Sequence, residues 1–435
     1  MPSGGMVLVR RAVVAFVGLV AFGGLAASAA PYLVADADSG QVLLQRDATE
    51  VWYPASLTKL MTVYVALEAV KEGRLTMDTP LVMSARAARM PPSKMGFRPG
   101  TEVTLDNALK MLMVKSPNDV AVMIAEGISG SVPAFAADMN AAAARLGLHE
   151  SHFVNPNGLH NPDHYTSARD MAMIARALLH DFPEDAGLFS IGELQLGSQI
   201  IRNHNGLLGR YPGADGMKTG FTCPAGFNVV ATATHSGRHL IVVVLGSASA
   251  RLRTQEAADL FDRGFAMGGG SATLDSLPAG DGEKPGPETN VCRHRSAVAA
   301  AEADEDSAEA EQDSPGKGFG PFGLFAAATP VHAVLSDGRP DFDPVPVYIG
   351  PAPGWSGPVL SARSGDVLPS DVKAYTAEAP DGAAEGGAPA VLRHAVRTPV
   401  HHHGKGAHRE HKPKMAARPV EGSSKSEAAT ETDKN

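Results

Sequence analysis

Apolar residues recur along this chain with two periods. Leu60, Met61, Val63, Tyr64 and Leu67 fall at offsets that suit a helix with one buried face, which predicts a helix over 56–70. Helical spacing also predicts helices over 105–114, 118–126, 132–146, 168–180 and 253–265. Strand patterns occupy 32–37 and 41–45, joined as a hairpin around Ser39-Gly40, and return at 193–202, 217–221, 227–234 and 239–245. Terminal strands and a final helix therefore enclose a helical middle. That order is α+β, and it predicts that both ends of the domain share one sheet.

The patterning fades after Met267-Gly268-Gly269-Gly270. From there to about Gly318 the chain is dominated by Pro, Gly, Ala and acidic residues, a composition too poor in apolar side chains to offset the entropy of ordering. Three segments follow: an expected export leader at 1–29, a globular domain at 30–268 and a low-complexity, mostly disordered tail at 269–435. The formal charge of −9 argues against a nucleic-acid binder, although it is unevenly spread. Residues 302–313 are acidic, whereas 393–418 are basic and histidine-rich; both read as solvated tail. The histidines at 401–403, with His408 and His411, carry either loose metal binding or a plain polar linker. The short apolar piece Phe319 to Phe325 is too broken by Gly and Pro to span a membrane, leaving docking or peripheral membrane contact.

The leader assignment rests on Arg10 and Arg11, the apolar run Ala12 to Leu25, and Ala27-Ser28-Ala29 as a small-residue cleavage signal, with cleavage after Ala29 preferred. Export places the protein across the cytoplasmic membrane, in the periplasm or cell envelope. The two cysteines, Cys223 and Cys292, then meet oxidising conditions, where a bridge and two separate thiols both remain open. Neither has the spacing of a zinc site, and no cofactor site is expected.

Three short motifs occur in order: Ser56-Leu57-Thr58-Lys59, Ser116-Pro117-Asn118 and Lys218-Thr219-Gly220. Ser56 and Lys59 are one helical turn apart and so share a side. A serine hydroxyl needs a base within hydrogen-bond reach, and a lysine serves if burial or a neighbouring cation such as Lys218 favours its neutral form. The opening of a helix also points free N–H groups at a developing oxyanion. Together the motifs outline a serine acyl-transfer site.

The stretches Pro54-Ala55-Ser56-Leu57-Thr58-Lys59-Leu60-Met61-Thr62 and Asp215 to Thr222 resemble the D-alanyl-D-alanine carboxypeptidases, low-molecular-mass penicillin-binding proteins. Ser116-Pro117-Asn118-Asp119, Phe153 to Leu159, His164 to Asp170 and Ala225-Gly226-Phe227-Asn228 extend the resemblance, which runs from about Tyr32 to about Phe265. It implies a β-lactamase-like α+β fold, with an antiparallel sheet flanked by helices and a helical subdomain. It also implies removal of the last D-alanine from peptidoglycan stem peptides, and covalent inhibition by β-lactams. On that resemblance Ser56 is the nucleophile, Lys59 its base and Ser116 the proton donor to the leaving amine. Asn118 holds Lys59 and the substrate backbone, Lys218 supplies charge, Thr219 binds the terminal carboxylate, and Gly220 admits the substrate backbone. The N–H groups of Ser56 and Phe221 form the oxyanion hole, and Arg253, with Arg251 as fallback, is the second carboxylate ligand. Pro117, Phe221 with Cys223-Pro224, and His204 depart from the commonest pattern at the substrate rim. A DD-endopeptidase, a β-lactamase and a non-catalytic wall scaffold are the alternative functions.

Overall fold

The run Leu240 to Leu245 is apolar at every position, as expected for a strand covered on both faces. In the computed structural model, which describes residues 30–284, 290–292, 335–336 and 340–363, it lies in the middle of a six-stranded sheet. The strands are β1 (Tyr32–Asp36), β2 (Gln41–Arg46), β7 (Ala214–Thr222), β8 (Gly226–His235), β9 (Arg238–Ser247) and β10 (Ala272–Thr273). Their order is β10-β2-β1-β9-β8-β7 and every pairing is antiparallel. The N-terminal hairpin thus pairs with a C-terminal strand, β1 on β9, and the ends share one sheet.

Alternation along β9 divides two cores. Leu240, Val242 and Val244 meet Ala257, Leu260 and Phe261 of helix α6 (Ala250–Ala266), while Ile241, Val243 and Leu245 face the helical body. Helix α6 sits flush on the sheet at Gly264, where a Cβ would lie 2.8 Å from Val34. It begins three residues earlier than its apolar spacing predicts, because Ser249 caps it by accepting from the Leu252 N–H.

The helical body holds α1 (Thr58–Lys71), α2 (Leu105–Val114), α3 (Asn118–Ser129), α4 (Val132–Arg145) and α5 (Ala168–Asp181). Helix α1 is buried around nearly its whole circumference, not on the one face its apolar spacing predicts. Its two threonines are buried with hydrogen bonds: Thr58 Oγ1 donates to Ala55 O and Thr62 Oγ1 to Pro156 O. No single helix among the described residues is long and apolar enough to cross a membrane.

Other elements differ from expectation. The predicted strand 193–202 is a hairpin of β5 (Glu193–Leu196) and β6 (Gln199–Arg202), since Gly197 takes φ +59° and turns the chain. A small hairpin of β3 (Pro80–Val82) and β4 (Glu102–Thr104) frames the loop 83–101. The sheet also extends past the expected domain boundary at 268, through β10. Farther along, β11 (Val345–Val347) pairs in parallel with β5, so parts of the expected tail are built onto the domain. The leader, the apolar piece 319–325, the acidic block and the histidine-rich block lie outside the described residues.

Cys223 and Cys292 form a disulfide, with Cα atoms 5.2 Å apart. It packs with Phe221, Phe227 and Ala250, and the Val291 N–H donates to Cys223 O. A bridge closing 69 residues removes denatured-chain entropy worth about 4 kcal/mol. Replacing both cysteines by serine is expected to lower unfolding free energy by about 2–4 kcal/mol in urea titrations. An unchanged midpoint and slope would mean the bridge contributes nothing to the fold.

Candidate active site

The chain enters α1 through a 3-10 turn, Ala55–Leu57, so Ser56 occupies a tighter turn than the opening of an α-helix. Ala55 sits at φ +48°, and Ser116, one residue before the proline that precedes α3, sits at φ +59°. Such conformations cost non-glycine residues on the order of 1–3 kcal/mol and persist where surroundings over-determine them.

Three sets of contacts do so around Ser56. Asn228 of β8 donates through Nδ2 to Tyr53 O (2.9 Å) and Pro54 O (3.1 Å), while its Oδ1 accepts from the Gly246 N–H. Gly158, at φ +84°, lies so close that a Cβ there would be 1.8 Å from Ala55 O. On the third side β7 passes at Gly220, where a Cβ would sit 2.9 Å from the Ser56 nitrogen and 3.0 Å from that of Leu57. The glycine of the third motif is therefore required by the protein's own backbone, a different reason from the substrate approach expected of it.

Lys59 is fully buried. Its Nζ donates to Ser56 Oγ (2.8 Å), Asn118 Oδ1 (2.9 Å) and Asn157 O (2.8 Å). A neutral amine fits the same cage, with two N–H groups on the two carbonyl oxygens and its lone pair toward the serine hydroxyl. The first two motifs thus meet through Lys59 and Asn118. The Asn118 amide donates its own hydrogens to Pro91 O (3.1 Å) and Pro92 O (3.0 Å). Both amide hydrogens thereby tie Asn118 to the loop 83–101.

Ser116 Oγ and Thr219 Oγ1 are buried hydroxyls with no hydrogen-bond partner among the described residues. An unsatisfied buried hydroxyl costs about 1–3 kcal/mol, which makes each of these two motif hydroxyls a candidate for substrate contact. Lys218, next to Thr219 on β7, is buried and donates to Thr219 O (2.8 Å). Phe221 stacks on Phe227 with centroids 4.2 Å apart, at the end of β7, the terminal strand of the sheet. Arg253 is buried and reaches the 203–206 loop at His204 O, whereas Arg251 is exposed, which separates the two arginine candidates. Asn205 ties that loop to β7 by donating to Gly216 O.

A serine hydroxyl on a buried lysine, beside an asparagine and a terminal strand bearing Lys-Thr-Gly, is an acyl-transfer arrangement. The sequence profile described as D-alanyl-D-alanine carboxypeptidase matches residues 21–249, more than half of the chain. The chain belongs to that family. It is 38% identical over 259 residues to the D-alanyl-D-alanine carboxypeptidase DacA of Haemophilus influenzae, covering 58% of this chain and 65% of that protein. The chain thus spans less than two thirds of that relative's length. Penicillin binding protein 5 from Haemophilus influenzae superposes with TM-score 0.53 at 38% identity, over 55% of this chain and 71% of that one. Penicillin-Binding Protein D2 from Listeria monocytogenes, in its cefotaxime-bound form, superposes with TM-score 0.50 at 28% identity, over 55% and 97%.

Within this family member, several residues that build the site lie in stretches that carried the resemblance but had no role assigned to them from sequence. Asn157 contributes a backbone carbonyl, which carries no signature in sequence. Asn155 shapes the same loop, its Oδ1 accepting from the Gly158 N–H (2.7 Å). His164 accepts from the Val154 N–H at Nδ1 (3.1 Å), so its Nε2–H faces Thr58 Oγ1 (2.7 Å), which in turn donates to Ala55 O. Burial, with the neighbouring His152 and His160, pushes its pKa down to about 3.

The sign of the resulting pH dependence follows. Below pH 6.5 the unfolded histidine takes a proton that the folded one refuses, so stability is lost as pH falls from about 6.5 toward 3. Relative to His164→Gln, the native chain is expected to lose about 1 kcal/mol more per pH unit over that window, measured by urea unfolding at several pH values. Parallel stability–pH curves would show that the folded imidazole is not held neutral.

Proposed function

We propose that this protein is a serine D-alanyl-D-alanine carboxypeptidase that trims the terminal D-alanine from peptidoglycan stem peptides. The observation that carries the reading is the part-buried 2.8 Å bond between Ser56 Oγ and the buried Lys59 Nζ, set in a cage completed by Asn118 and Asn157. Neutral Lys59 takes the hydroxyl proton as Ser56 Oγ bonds to the carbonyl carbon of the penultimate D-alanine. The oxyanion lies between the N–H groups of Ser56 and Phe221, a device worth on the order of 3 kcal/mol per donor. Collapse breaks the peptide C–N bond as Ser116 Oγ delivers a proton to the leaving amine and is reprotonated from Lys59. Free D-alanine departs, and water then hydrolyses the ester on Ser56.

Selectivity for a terminal carboxylate comes from Thr219 Oγ1, Lys218 and Arg253, with the peptide lying along the outer edge of β7. A strained lactam beside a carboxylate presents the same features, which supports acylation of Ser56 by β-lactams; the cefotaxime-bound form of the Listeria relative supports it further. The substrate lies outside the cytoplasmic membrane. The leader-like N-terminus and a disulfide, which persists in oxidising compartments, support action in the cell envelope.

The test is D-alanine release from diacyl-Lys-D-Ala-D-Ala by the full chain. Release is expected to vanish in Ser56→Ala, and Arg253→Ala is expected to raise KM at least tenfold with a smaller change in kcat. Release that survives in Ser56→Ala overturns the mechanism. No release by a folded chain, with cleavage of cross-linked dimers or rapid penicillin turnover instead, moves the assignment to an endopeptidase or a β-lactamase.

A further inference from the structure

Residues 340–363 lie beyond the matched family region, in the stretch whose composition reads as tail. Nevertheless they run across the helical body as a strap. Phe342 and Pro340 pack where Gly192 and Gly209 leave room, since a Cβ at those glycines would lie 2.3 Å from the Phe342 ring and 2.2 Å from Pro340. Strand β11 then pairs with β5. Beyond it the strap flanks the β3–β4 hairpin on both edges. The Gly350 N–H donates to Glu102 O, with a parallel bridge between Gly350 and Val103. At the other edge the Leu360 N–H donates to Pro80 O (2.9 Å), the Val82 N–H donates to Leu360 O (2.9 Å), and Leu360 bridges Leu81. The Arg363 N–H finally donates to Gly130 O at the end of α3. A two-stranded hairpin of three residues per strand is too short to hold itself, and the strap makes it an interior pair.

What that hairpin carries is the loop 83–101. Its neck is closed between Met83, Gly100 and Thr101, and its far end supplies Pro91 O and Pro92 O to Asn118, and Ser93 O to the Asn118 N–H. Asp119 holds the same loop by accepting from the N–H groups of Met95 and Gly96. An unbroken series of contacts therefore runs from the strap to β3 and β4, to the loop, to Asn118, and to the amine of Lys59.

We propose that residues 340–363 are a positioning strap for the active site: by clamping β3 and β4 they fix the loop that orients Asn118 and, through it, Lys59. The catalytic consequence rests on the carboxypeptidase reading; the structural coupling does not. The strap touches no reacting atom, and its residues act through the loop.

Hydrogen exchange on the full chain tests the coupling without reference to activity. In a denaturant series, the amides of Gly350, Leu360, Val82, Met95 and Gly96 are expected to open as one unit. Full protection of Met95 and Gly96 while Gly350 and Leu360 exchange would overturn the proposal. The variant Leu360→Pro, which lacks the N–H given to Pro80, is expected to speed exchange at Met95 and Gly96. It should also lower the acylation rate constant at least tenfold, with KM within threefold, while Val359→Ala, altering an exposed neighbour, matches the native chain. Unchanged exchange at Met95 and Gly96 in a folded Leu360→Pro chain overturns the strap's role. If Leu360→Pro does not fold, the native-chain exchange series decides alone. If neither chain releases D-alanine yet the exchange coupling holds, the functional reading fails and the strap stands.

Discussion

A lysine amine with no access to water governs this structure. Lys59 is fully buried, and a buried ammonium or amine is tolerable only where its hydrogen-bonding capacity is met. Ser56, Asn118 and Asn157 meet it, and they come from the entry to α1, the start of α3 and the loop before α5. Three remote stretches must converge to a few tenths of an ångström for that cage to exist. The same bonds that make Lys59 tolerable leave its lone pair, once a proton is lost, pointed at a serine hydroxyl.

Much of the surrounding architecture holds that convergence. The positive φ of Ala55 is enforced by Asn228 from the sheet, by Gly158 against its carbonyl and by β7 against the Ser56 nitrogen. His164, kept neutral by burial, presses the Thr58 hydroxyl onto Ala55 O. Rigid backbone on three sides fixes Ser56, the proposed nucleophile, before any substrate arrives, which is how preorganised sites lower a barrier. The disulfide packs at the end of β7 beside Phe221, and the strap braces the β3–β4 hairpin whose loop holds Asn118.

The fold order was legible because β-branched runs and helical spacing each carry a period, and the contact between Ser56 and Lys59 was legible because they sit one turn apart. Other features leave no such trace. Thr58 and Thr62 read as the polar side of an amphipathic helix, yet both are buried against carbonyls of their own surroundings. Asn157 acts through its backbone, and Asn118 carries nothing in its identity to say that its amide donates to Pro91 and Pro92. Two cysteines 69 residues apart have no local spacing that dictates pairing. The strap is rich in Pro and Gly and pairs by backbone bonds at isolated positions, so neither period appears in it.

The central claim is that Lys59 is the base that activates Ser56, and mass mapping of the benzylpenicillin adduct tests it most directly. The full chain and Lys59→Ala, matched for melting temperature, are digested after brief exposure to the drug. The account predicts a single adduct on the peptide containing Ser56 in the native chain, and none at the same times in Lys59→Ala. Rapid labelling of Ser56 without Lys59, or an adduct on any other residue, would contradict it.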